Sequence, residues 1–315
     1  MPPGSAALCY IDAMVALESA RVLMTGSSGL LGSALFSSLQ ARGFEVTRLV
    51  RGRPSSEDQI FWNPSRPVSA DVVSGFDTVI HLAGETVVGR WTSTKKVKIR
   101  DSRVAGTRNL VHGLIEAKDR PRLLIAASAI GYYGDRGEEC LREDSAPGTG
   151  FLAEVCREWE AASQPAADAG IRTAQIRTGV VLSADGGALK KMLLPFRMGL
   201  GGTLGSGHQW MSWIHIQDWV GGVHHILKTD LMQGPINMVG PKPATNAEFT
   251  KSLASVLSRP AIFPVPTFAA KLAFGQMGEE VLLASQRVEP AKLVTSGYPF
   301  QYADLRKALE AVLTK

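Results

Sequence analysis

Cysteine is scarce in this sequence. Cys9, Cys140 and Cys156 are the only thiols among 315 residues, and none forms a CxxC pair. Three cysteines at such spacings cannot build a disulfide framework, which favours a reducing compartment. The sequence also lacks an apolar run of the roughly 18 residues that a membrane-spanning helix needs. We therefore expect a cytoplasmic protein that does not interact with membranes.

The features of a secretory signal are missing as well. The first 20 residues have no basic segment at their start and contain Asp12 and Glu18, whereas signal peptides begin with positive charge. These residues precede the first strand pattern, so we expect residues 1–20 to form a disordered tail. Met14 is an alternative to Met1 as the natural start, and the sequence does not decide between them.

Charge of either sign is not concentrated in this chain. The net charge is +5, and charged residues make up 20% of the sequence. The densest basic segment, residues 95–100, alternates with apolar residues as the solvated face of a helix does. We expect no nucleic-acid binding. The six histidines are scattered, without an HxxxH pattern, so no metal site is predicted.

A glycine-spaced segment near the N-terminus is the most informative motif. An apolar run at residues 22–24 leads into a turn, and helical spacing of apolar residues follows from residue 33. Gly26 is predicted to make the tight turn, Gly29 to let the backbone approach phosphates, and Gly32 to let the helix pack close to the strand. Strand, turn and helix in this order present backbone N–H groups to a pyrophosphate. The predicted cofactor residues here are Gly26, Ser27, Ser28, Gly29, Leu30, Leu31 and Gly32.

Strand and helix patterns alternate through the first 180 residues. Strand patterns recur at residues 44–50, 77–84, 121–128 and 171–177, and helix patterns at 93–117 and 151–169. Such alternation predicts βαβ units and an α/β fold with a doubly wound parallel sheet. We expect a Rossmann domain over residues 21–182. Residues 183–315 are predicted to form mostly a smaller, mixed α/β substrate-binding lobe, with residues 213–240 returning to the Rossmann sheet.

The end of the second strand indicates which nicotinamide cofactor is bound. An acidic residue that would hold a ribose 2′-hydroxyl is expected there, about 20 residues after the glycine turn. This sequence has Arg51, with Arg53 just beyond. A guanidinium offers a fixed fork of donors to a 2′-phosphate, so we expect NADP rather than NAD. The alternative is that both arginines are solvated loop charges.

Further motifs extend along most of the chain. They are TGSSGLLG (25–32), HLAG (81–84), SRVAGT (102–107), SAIGYYG (128–134), RTGVVL (177–182), MLLPFR (192–197), GSGHQ (205–209), WIHIQD (213–218), PINMVG (235–240) and ATNAEF (244–249). With them the chain resembles the extended short-chain dehydrogenases/reductases, and more narrowly their atypical, sugar-nucleotide-epimerase-like subgroup. Members of that subgroup are sometimes labelled as cell-division inhibitors. The resemblance covers roughly residues 21–313.

The resemblance implies further cofactor contacts. The HLAG motif places Leu82, Ala83 and Gly84 against the nucleotide, and Glu85 next to them is a candidate for the nicotinamide ribose. Arg103 is a candidate for the cofactor phosphates, although a surface salt bridge is an alternative for it. Ser128 is expected beside the nicotinamide. His81 is interpreted as a strand residue packed in the sheet.

The acid–base pair of the family is absent. Members with established chemistry carry Tyr-x-x-x-Lys on the helix after the Ser-bearing strand, where the Lys lowers the pKa of the Tyr. The matching positions here are Leu152 and Cys156, or Phe151 and Val155 in the other register. None of these side chains can transfer a proton in this way.

Three residues near the end of the fourth predicted strand are candidates to replace that pair. Ser128 could hydrogen-bond a substrate carbonyl, and Tyr132 or Tyr133 could donate the proton. The register is uncertain by one residue, because matching Tyr133 to the family's tyrosine puts Ala129 at the serine position. The alternative is that both rings only form walls of the nicotinamide pocket. Glu154 is a weaker candidate base.

The glycine-rich region after residue 199 is predicted to contact the substrate. His208, Gln209, Trp210 and Trp213 offer stacking faces and hydrogen-bond donors there, although tryptophans are as often part of a core. The resemblance suggests a nucleotide-sugar, which would need diphosphate contacts. The candidates for these contacts are Lys190, Lys191 and Arg197. The resemblance also implies a possible homodimer.

Two functions follow from these observations. The first is an NADP-dependent oxidoreductase or epimerase-like enzyme that transfers hydride to or from an alcohol, carbonyl or nucleotide-sugar. The alternative is an NADP-binding sensor or scaffold without turnover, which would account for the missing Tyr-x-x-x-Lys. Lyase or isomerase chemistry with a retained cofactor remains a third interpretation.

Overall fold

The computed structural model describes residues 20–314, so the predicted tail, apart from Ala20, lies outside the described residues. The elements of the first half are β1 (Arg21–Thr25), α1 (Leu30–Ala41), β2 (Glu45–Val50), β3 (Gln59–Phe61), α2 (Ala70–Val73), β4 (Thr78–His81), α3 (Ser93–Glu116) and β5 (Leu123–Ala129). After a 3₁₀ helix at Ile130–Tyr133 come β6 (Cys140–Leu141), α4 (Phe151–Asp168), β7 (Arg172–Thr178) and β8 (Val180–Leu182).

The second half contains shorter elements. They are α5 (Gly187–Arg197), β9 (Trp210–Met211), β10 (Trp213–His215), α6 (Ile216–Lys228), β11 (Gly234–Met238), β12 (Ala244–Thr245), α7 (Asn246–Leu257), α8 (Thr267–Phe274), a π-helix at Gly278–Leu283, β13 (Arg287–Val288), α9 (Ala291–Thr295) and α10 (Leu305–Leu313). None of the helices between residues 20 and 314 is long and apolar enough to cross a membrane.

Seven of the strands form a single parallel sheet in the spatial order β3-β2-β1-β4-β5-β7-β11. The order reverses between β1 and β4, since β2 and β3 extend to one side of β1 and the later strands to the other. In open α/β sheets ligands bind at such a reversal, outside the carboxyl ends of the strands. The prediction of an α/β fold with a doubly wound parallel sheet is confirmed.

Alternating side chains of the strands pack against helices on the two faces of the sheet. Val22 and Met24 of β1 pack with α1 and α6, whereas Leu23 between them packs with α3 and the end of α4. This alternation is what the period of two in a strand requires. Helices cover both faces of the sheet, so the carboxyl ends of the strands remain open to a ligand.

Residues beyond 182 contribute both to the sheet and to a separate helical cluster. β11 pairs with β7 at the edge of the sheet, while β8 pairs with β10 and β9 with β12 in two small sheets. Helices α5, α7 and α10 share a core of their own, built around Trp213, Phe249 and Leu309. The domain boundaries at residues 182 and 183 stay a prediction.

Candidate functional site

The glycine turn lies between β1 and α1 at the reversal of the sheet. Gly26 has φ +72°, and a Cβ there would lie 2.6 Å from the carbonyl carbon of Leu82. A Cβ at Gly32 would overlap the carbonyl oxygen of Gly26. Both positions therefore require glycine, for backbone conformation at the first and for close helix packing at the second. The start of the helix can lie this close to the turn only with glycine at position 32.

The N-terminus of α1 is open. Gly29 is its N-cap, no side chain caps it, and its first turn contains no acidic residue. The first N–H groups of a helix have no partner within the helix. The N–H groups of Leu30, Leu31 and Gly32 belong to this turn, so they are available to an anion together with the positive end of the helix dipole.

A cleft of about 450 Å³ opens above this turn. Nine of the predicted cofactor residues line it, and Trp62 and Ser102 contribute further walls. The nine residues are Gly26, Ser27, Ser28, Gly29, Arg51, Leu82, Ala83, Gly84 and Glu85. The cleft is large enough for part of a dinucleotide, since ligand pockets measure roughly 300–1,000 Å³.

Charged side chains lie at two places in or near the cleft. Arg51 is exposed at the end of β2 and lines the cleft. Glu85 accepts a hydrogen bond from Lys95 Nζ at 2.6 Å, and this ammonium lowers the pKa of the Glu85 carboxyl.

The Arg103 side chain holds the backbone next to the cleft. Its Nη1 donates to the carbonyl oxygens of Glu85 and Ile99, and its guanidinium stacks on the Trp159 ring. Arg103 thus fixes the backbone beside Gly84 and forms no salt bridge with a carboxylate of residues 20–314.

A buried histidine supports the floor of the cleft. His81 is fully buried at the end of β4, with Nδ1 2.7 Å from Thr25 Oγ1 and Nε2 3.0 Å from Thr107 Oγ1. Thr25 Oγ1 also accepts the N–H of Ala83, which lines the cleft. Burial lowers the pKa of His81 to about 4, so the ring is neutral at pH 7.

Ser128 belongs to a buried polar network beneath the end of β5. Its Oγ donates to Glu160 Oε1 at 2.6 Å, and the Arg177 guanidinium binds both oxygens of Glu160 at 2.8 Å. Arg177 Nη1 also donates to Tyr133 Oη at 2.8 Å. Ser128 is 4% exposed and faces α4, so its hydroxyl proton is committed to Glu160 rather than directed into the cleft.

The catalytic role predicted for Tyr133 requires a correction. The side chain is 0% exposed, and the single proton of its hydroxyl is shared between Asn237 Oδ1 at 2.7 Å and the Arg142 carbonyl oxygen at 2.9 Å. Burial raises the pKa of Tyr133 to about 12. The residue therefore holds β5, β7 and β11 together. Tyr132 is only partly buried, and Arg177 stacks on its ring at 3.6 Å, so Tyr132 is the tyrosine that stays a candidate.

The positions of the missing acid–base pair are apolar in the structure. Leu152 and Cys156 lie at the start of α4 facing Gly131, in the loop after β5. Leu152 packs in a cluster with Trp91 and Met277. Burial raises the pKa of the Cys156 thiol to about 12. This wall carries no group that could exchange a proton near pH 7.

A second cavity, of about 340 Å³, lies between α5, α7 and the segment from α8 to the π-helix. Thirteen of its lining side chains are apolar. The lining residues are Val88, Ala188, Lys191, Met192, Pro195, Phe196, Leu200, Gly201, Gly202, Leu204, Asn246, Phe249, Thr250, Val265, Phe274, Met277, Val281 and Leu282. We call this cavity the apolar pocket. Sequence reasoning missed it, because its walls come from four segments that are distant in the chain.

The four residues predicted to contact the substrate are not brought together. Trp213 is 0% exposed in the core of α5, α7 and α10, so its assignment to a substrate pocket is corrected. Gln209 is buried and donates to the Leu204 carbonyl oxygen. Trp210 donates to Glu138 at 2.6 Å, and His208 is exposed. None of the four lines the apolar pocket.

The glycine turn, the open helix N-terminus and the cleft at the strand reversal define a dinucleotide-binding Rossmann protein. Residues 22–239 match the family model described as the NAD dependent epimerase/dehydratase family. Residues 265–312 match a domain of unknown function (DUF1731). The first match spans more than half of the chain, and the chain belongs to the NAD dependent epimerase/dehydratase family.

Relatives of similar length carry the same family description. The chain is 39% identical over 301 residues to the epimerase family protein Mb2239 of Mycobacterium bovis, covering 95% of this chain and 99% of that protein. It is 36% identical over 297 residues to the human epimerase family protein SDR39U1, covering 93% and 99%. These similarities bear out the resemblance to extended short-chain dehydrogenases/reductases.

Two solved structures are similar over most of this chain. Human SDR39U1 (isoform 2), solved with NADPH, superposes with a TM-score of 0.85 at 34% identity, covering 94% of this chain and 99% of that one. A protein of Corynebacterium glutamicum described as a nucleoside-diphosphate sugar epimerase gives 0.78 at 38% identity, covering 95% of this chain and 60% of that one. More distant epimerases, below 25% identity, share the fold.

Proposed function

We propose that this chain is an NADP-dependent oxidoreductase that transfers hydride between the nicotinamide and a small alcohol or carbonyl compound. The observation that carries the proposal is a second cavity whose lining begins three residues along the chain from that of the cleft. Glu85 lines the cleft and Val88, three residues further on, lines the apolar pocket. A sensor that only binds a nucleotide would not need a second cavity beside the first.

The residues of the cleft fit a dinucleotide. The N–H groups of Leu30, Leu31 and Gly32 would hold the pyrophosphate at the N-terminus of α1. Arg51 would bind a 2′-phosphate, and the carboxylate of Glu85 would accept a hydrogen bond from the nicotinamide ribose. The NADPH in the human relative supports the same choice of cofactor. When bound, the cofactor supplies the hydride. Arg103 would position the strand end next to Gly84 rather than contact phosphate.

Tyr132 is the proposed proton donor. Ser128 and Tyr133 are committed to the network of Glu160 and Arg177. Tyr132 follows the same strand and is partly exposed. We expect Tyr132→Phe to lower the turnover rate at least tenfold, in line with the gain that general acid catalysis provides. A Tyr132→Phe variant that turns over at the wild-type rate would remove this assignment.

The cofactor preference is tested by titrating the protein with NADPH and with NADH. Arg51→Ala is expected to weaken NADPH binding at least tenfold, since a charge-assisted contact contributes roughly 1.5–3 kcal/mol, and to leave NADH binding unchanged. Arg53→Ala is the matched control, because Arg53 is exposed two residues further on and does not line the cleft. Equal affinity for the two nucleotides would contradict the proposal.

The second candidate function is an NADP-binding sensor or scaffold without turnover. Leu152 and Cys156 at the acid–base positions favour it. The two functions differ in one measurement, the oxidation of bound NADPH followed at 340 nm under single-turnover conditions with a panel of aldehydes and ketones. Oxidation supports the enzyme, whereas tight binding without oxidation supports the sensor. A cytoplasmic location and a homodimer stay predictions.

A nucleotide-sugar substrate finds little support among the predicted diphosphate contacts. Lys191 lines the apolar pocket, but Lys190 donates to the Asp185 carbonyl oxygen. Arg197 lines a different cavity, beside His215 and Tyr302. The three cations are therefore not gathered around one site.

A further inference from the structure

We propose that the apolar pocket binds an uncharged, largely hydrocarbon alcohol or carbonyl compound as the substrate, and not a nucleotide-sugar. This proposal rests on the oxidoreductase function above, because the ligand is a substrate only if the protein transfers hydride. The chemical class of the ligand is inferred from the pocket alone. An aliphatic aldehyde of about ten carbon atoms is a representative ligand.

The lining of the pocket carries the first part of the argument. Lys191 is its single charged lining residue, and no carboxylate lines it. Asn246 is 3% exposed, and its Oδ1 already accepts the N–H of Leu204 at 2.8 Å. A diphosphate carries charge that must be paired when it leaves water, and one lysine at the edge cannot supply that pairing. A hydrocarbon chain needs no such partner and gains from contact with apolar walls.

The exposure of the lining side chains carries the second part. Leu200 is 51% exposed, Val281 43% and Phe274 40%, and all three line the pocket. Large apolar side chains exposed side by side around a concave surface are typical of a binding site. An apolar ligand would cover them, whereas a hydrated polar ligand would leave them in contact with water.

The position of the pocket carries the third part. Met277 and Leu282 line it and also pack in the cluster that contains Leu152. Leu152 occupies the position of the family's catalytic tyrosine beside the loop after β5. The apolar wall therefore continues from the pocket to the place where the family's chemistry occurs. A ligand with a polar end and a hydrocarbon body would direct its polar end there.

Binding is tested with the neutral dye Nile red and the NADP-saturated protein, by fluorescence. We expect the dye to bind, decanal and 1-decanol to displace it, and UDP-glucose to leave it bound. Met192→Asp, which places a charge in the pocket wall, is expected to weaken dye binding at least tenfold. Ala188→Trp, which fills the pocket from an exposed position, is expected to do the same without disturbing the core.

Leu194→Asp is the matched control. Leu194 is on the same helix, two residues from Met192, is 68% exposed and does not line the pocket. We expect its dye affinity to stay within twofold of the wild type. Thermal unfolding and NADPH titration of each variant establish that the fold and the cleft are intact. Equal dye affinity of Ala188→Trp and the wild type, or displacement of the dye by UDP-glucose, would overturn the proposal.

Oxidation of NADPH separates the failure of this inference from failure of the proposed function. Dye displacement by decanal without oxidation of NADPH by any carbonyl compound supports the apolar binding site and refutes the oxidoreductase. Oxidation of NADPH by a keto-sugar nucleotide, with decanal neither displacing dye nor reacting, refutes the apolar site and leaves the oxidoreductase intact. If decanal oxidises NADPH, and Met192→Asp slows this oxidation at least tenfold whereas Leu194→Asp does not, both the apolar site and the oxidoreductase are supported.

Discussion

The ion pair between Glu160 and Arg177 is the most deeply buried one among residues 20–314, with side chains 13% and 2% exposed. Neutralising Glu160 to Gln would leave the Arg177 guanidinium in a low-dielectric site without its counter-charge. Removing one partner of such a pair costs about 3–5 kcal/mol. That is a large fraction of the 5–15 kcal/mol by which domains are usually stable. We expect Glu160→Gln to lower the free energy of unfolding by about 3 kcal/mol or more.

Urea unfolding at pH 7, followed by tryptophan fluorescence, measures this loss. Glu158→Gln is the matched control on the same helix, because its partner Arg100 and Glu158 itself are 47% and 34% exposed. A pair in contact with solvent contributes less than about 1 kcal/mol. The double variant Glu160→Leu, Arg177→Met is expected to lose less than the sum of its single variants, since replacing both partners removes the unpaired charge.

Two results would refute the reasoning. One is a Glu160→Gln variant no less stable than Glu158→Gln, which would mean that water or another anion compensates Arg177. The other is strict additivity in the double variant. The experiment also bears on Ser128, since its hydroxyl donates to the same carboxylate. If the network is structural, folded Glu160→Gln protein binds NADPH with the affinity of the wild type.

The remaining predictions concern the cleft and the buried rings. Gly32→Ala is expected to weaken NADPH binding more than tenfold, because its Cβ would overlap the Gly26 carbonyl oxygen. Gly106→Ala, whose Cβ would meet no atom closer than 3.8 Å and which does not line the cleft, should bind normally in the same titration. The pKa of His81 is lowered to about 4 by burial, so its contribution to stability is present above pH 6.5 and is lost as the pH falls towards 4. Between pH 7 and pH 5 this loss is about 2 kcal/mol, measured as the difference in urea unfolding between wild type and His81→Gln. Wild type and variant with equal pH dependence would contradict it. Tyr133→Phe is expected to cost about 1–2 kcal/mol of stability and to leave turnover unchanged, and a loss of turnover at normal stability would restore its catalytic assignment.

The sequence predicted the parts of the site that depend on local backbone geometry. The glycine turn requires a positive φ at one residue and close packing at another, and both requirements act within seven positions of the chain. Arg51 is likewise placed by the end of its own strand, in the cleft as expected. Local spacing is enough in these cases because the groups are neighbours in the sequence.

Side-chain direction and long-range packing account for what the sequence did not predict. Ser128 and Tyr133 have side chains suited to catalysis, but the first faces α4 and the second lies on a 3₁₀ turn and is buried. Trp213 stands among glycines in the sequence, yet its short strand pairs with β8 inside the helical core. The apolar pocket is built from segments up to about 190 residues apart, and no pattern in one segment indicates the others.

The loss of the acid–base pair is explained more fully by its surroundings than by the two residues themselves. Cys156 is 3% exposed, and burial raises the pKa of its thiol, with smaller opposing effects of the Glu160 carboxylate and the Arg103 guanidinium. A lysine in place of Cys156 would lose hydration at this wall, which lowers the pKa of an ammonium group. The carboxylate that could favour its charged form is Glu160, which is already paired with Arg177. The environment of α4 therefore suits an apolar boundary to the pocket, and chemistry at this site has to obtain its proton from outside that helix.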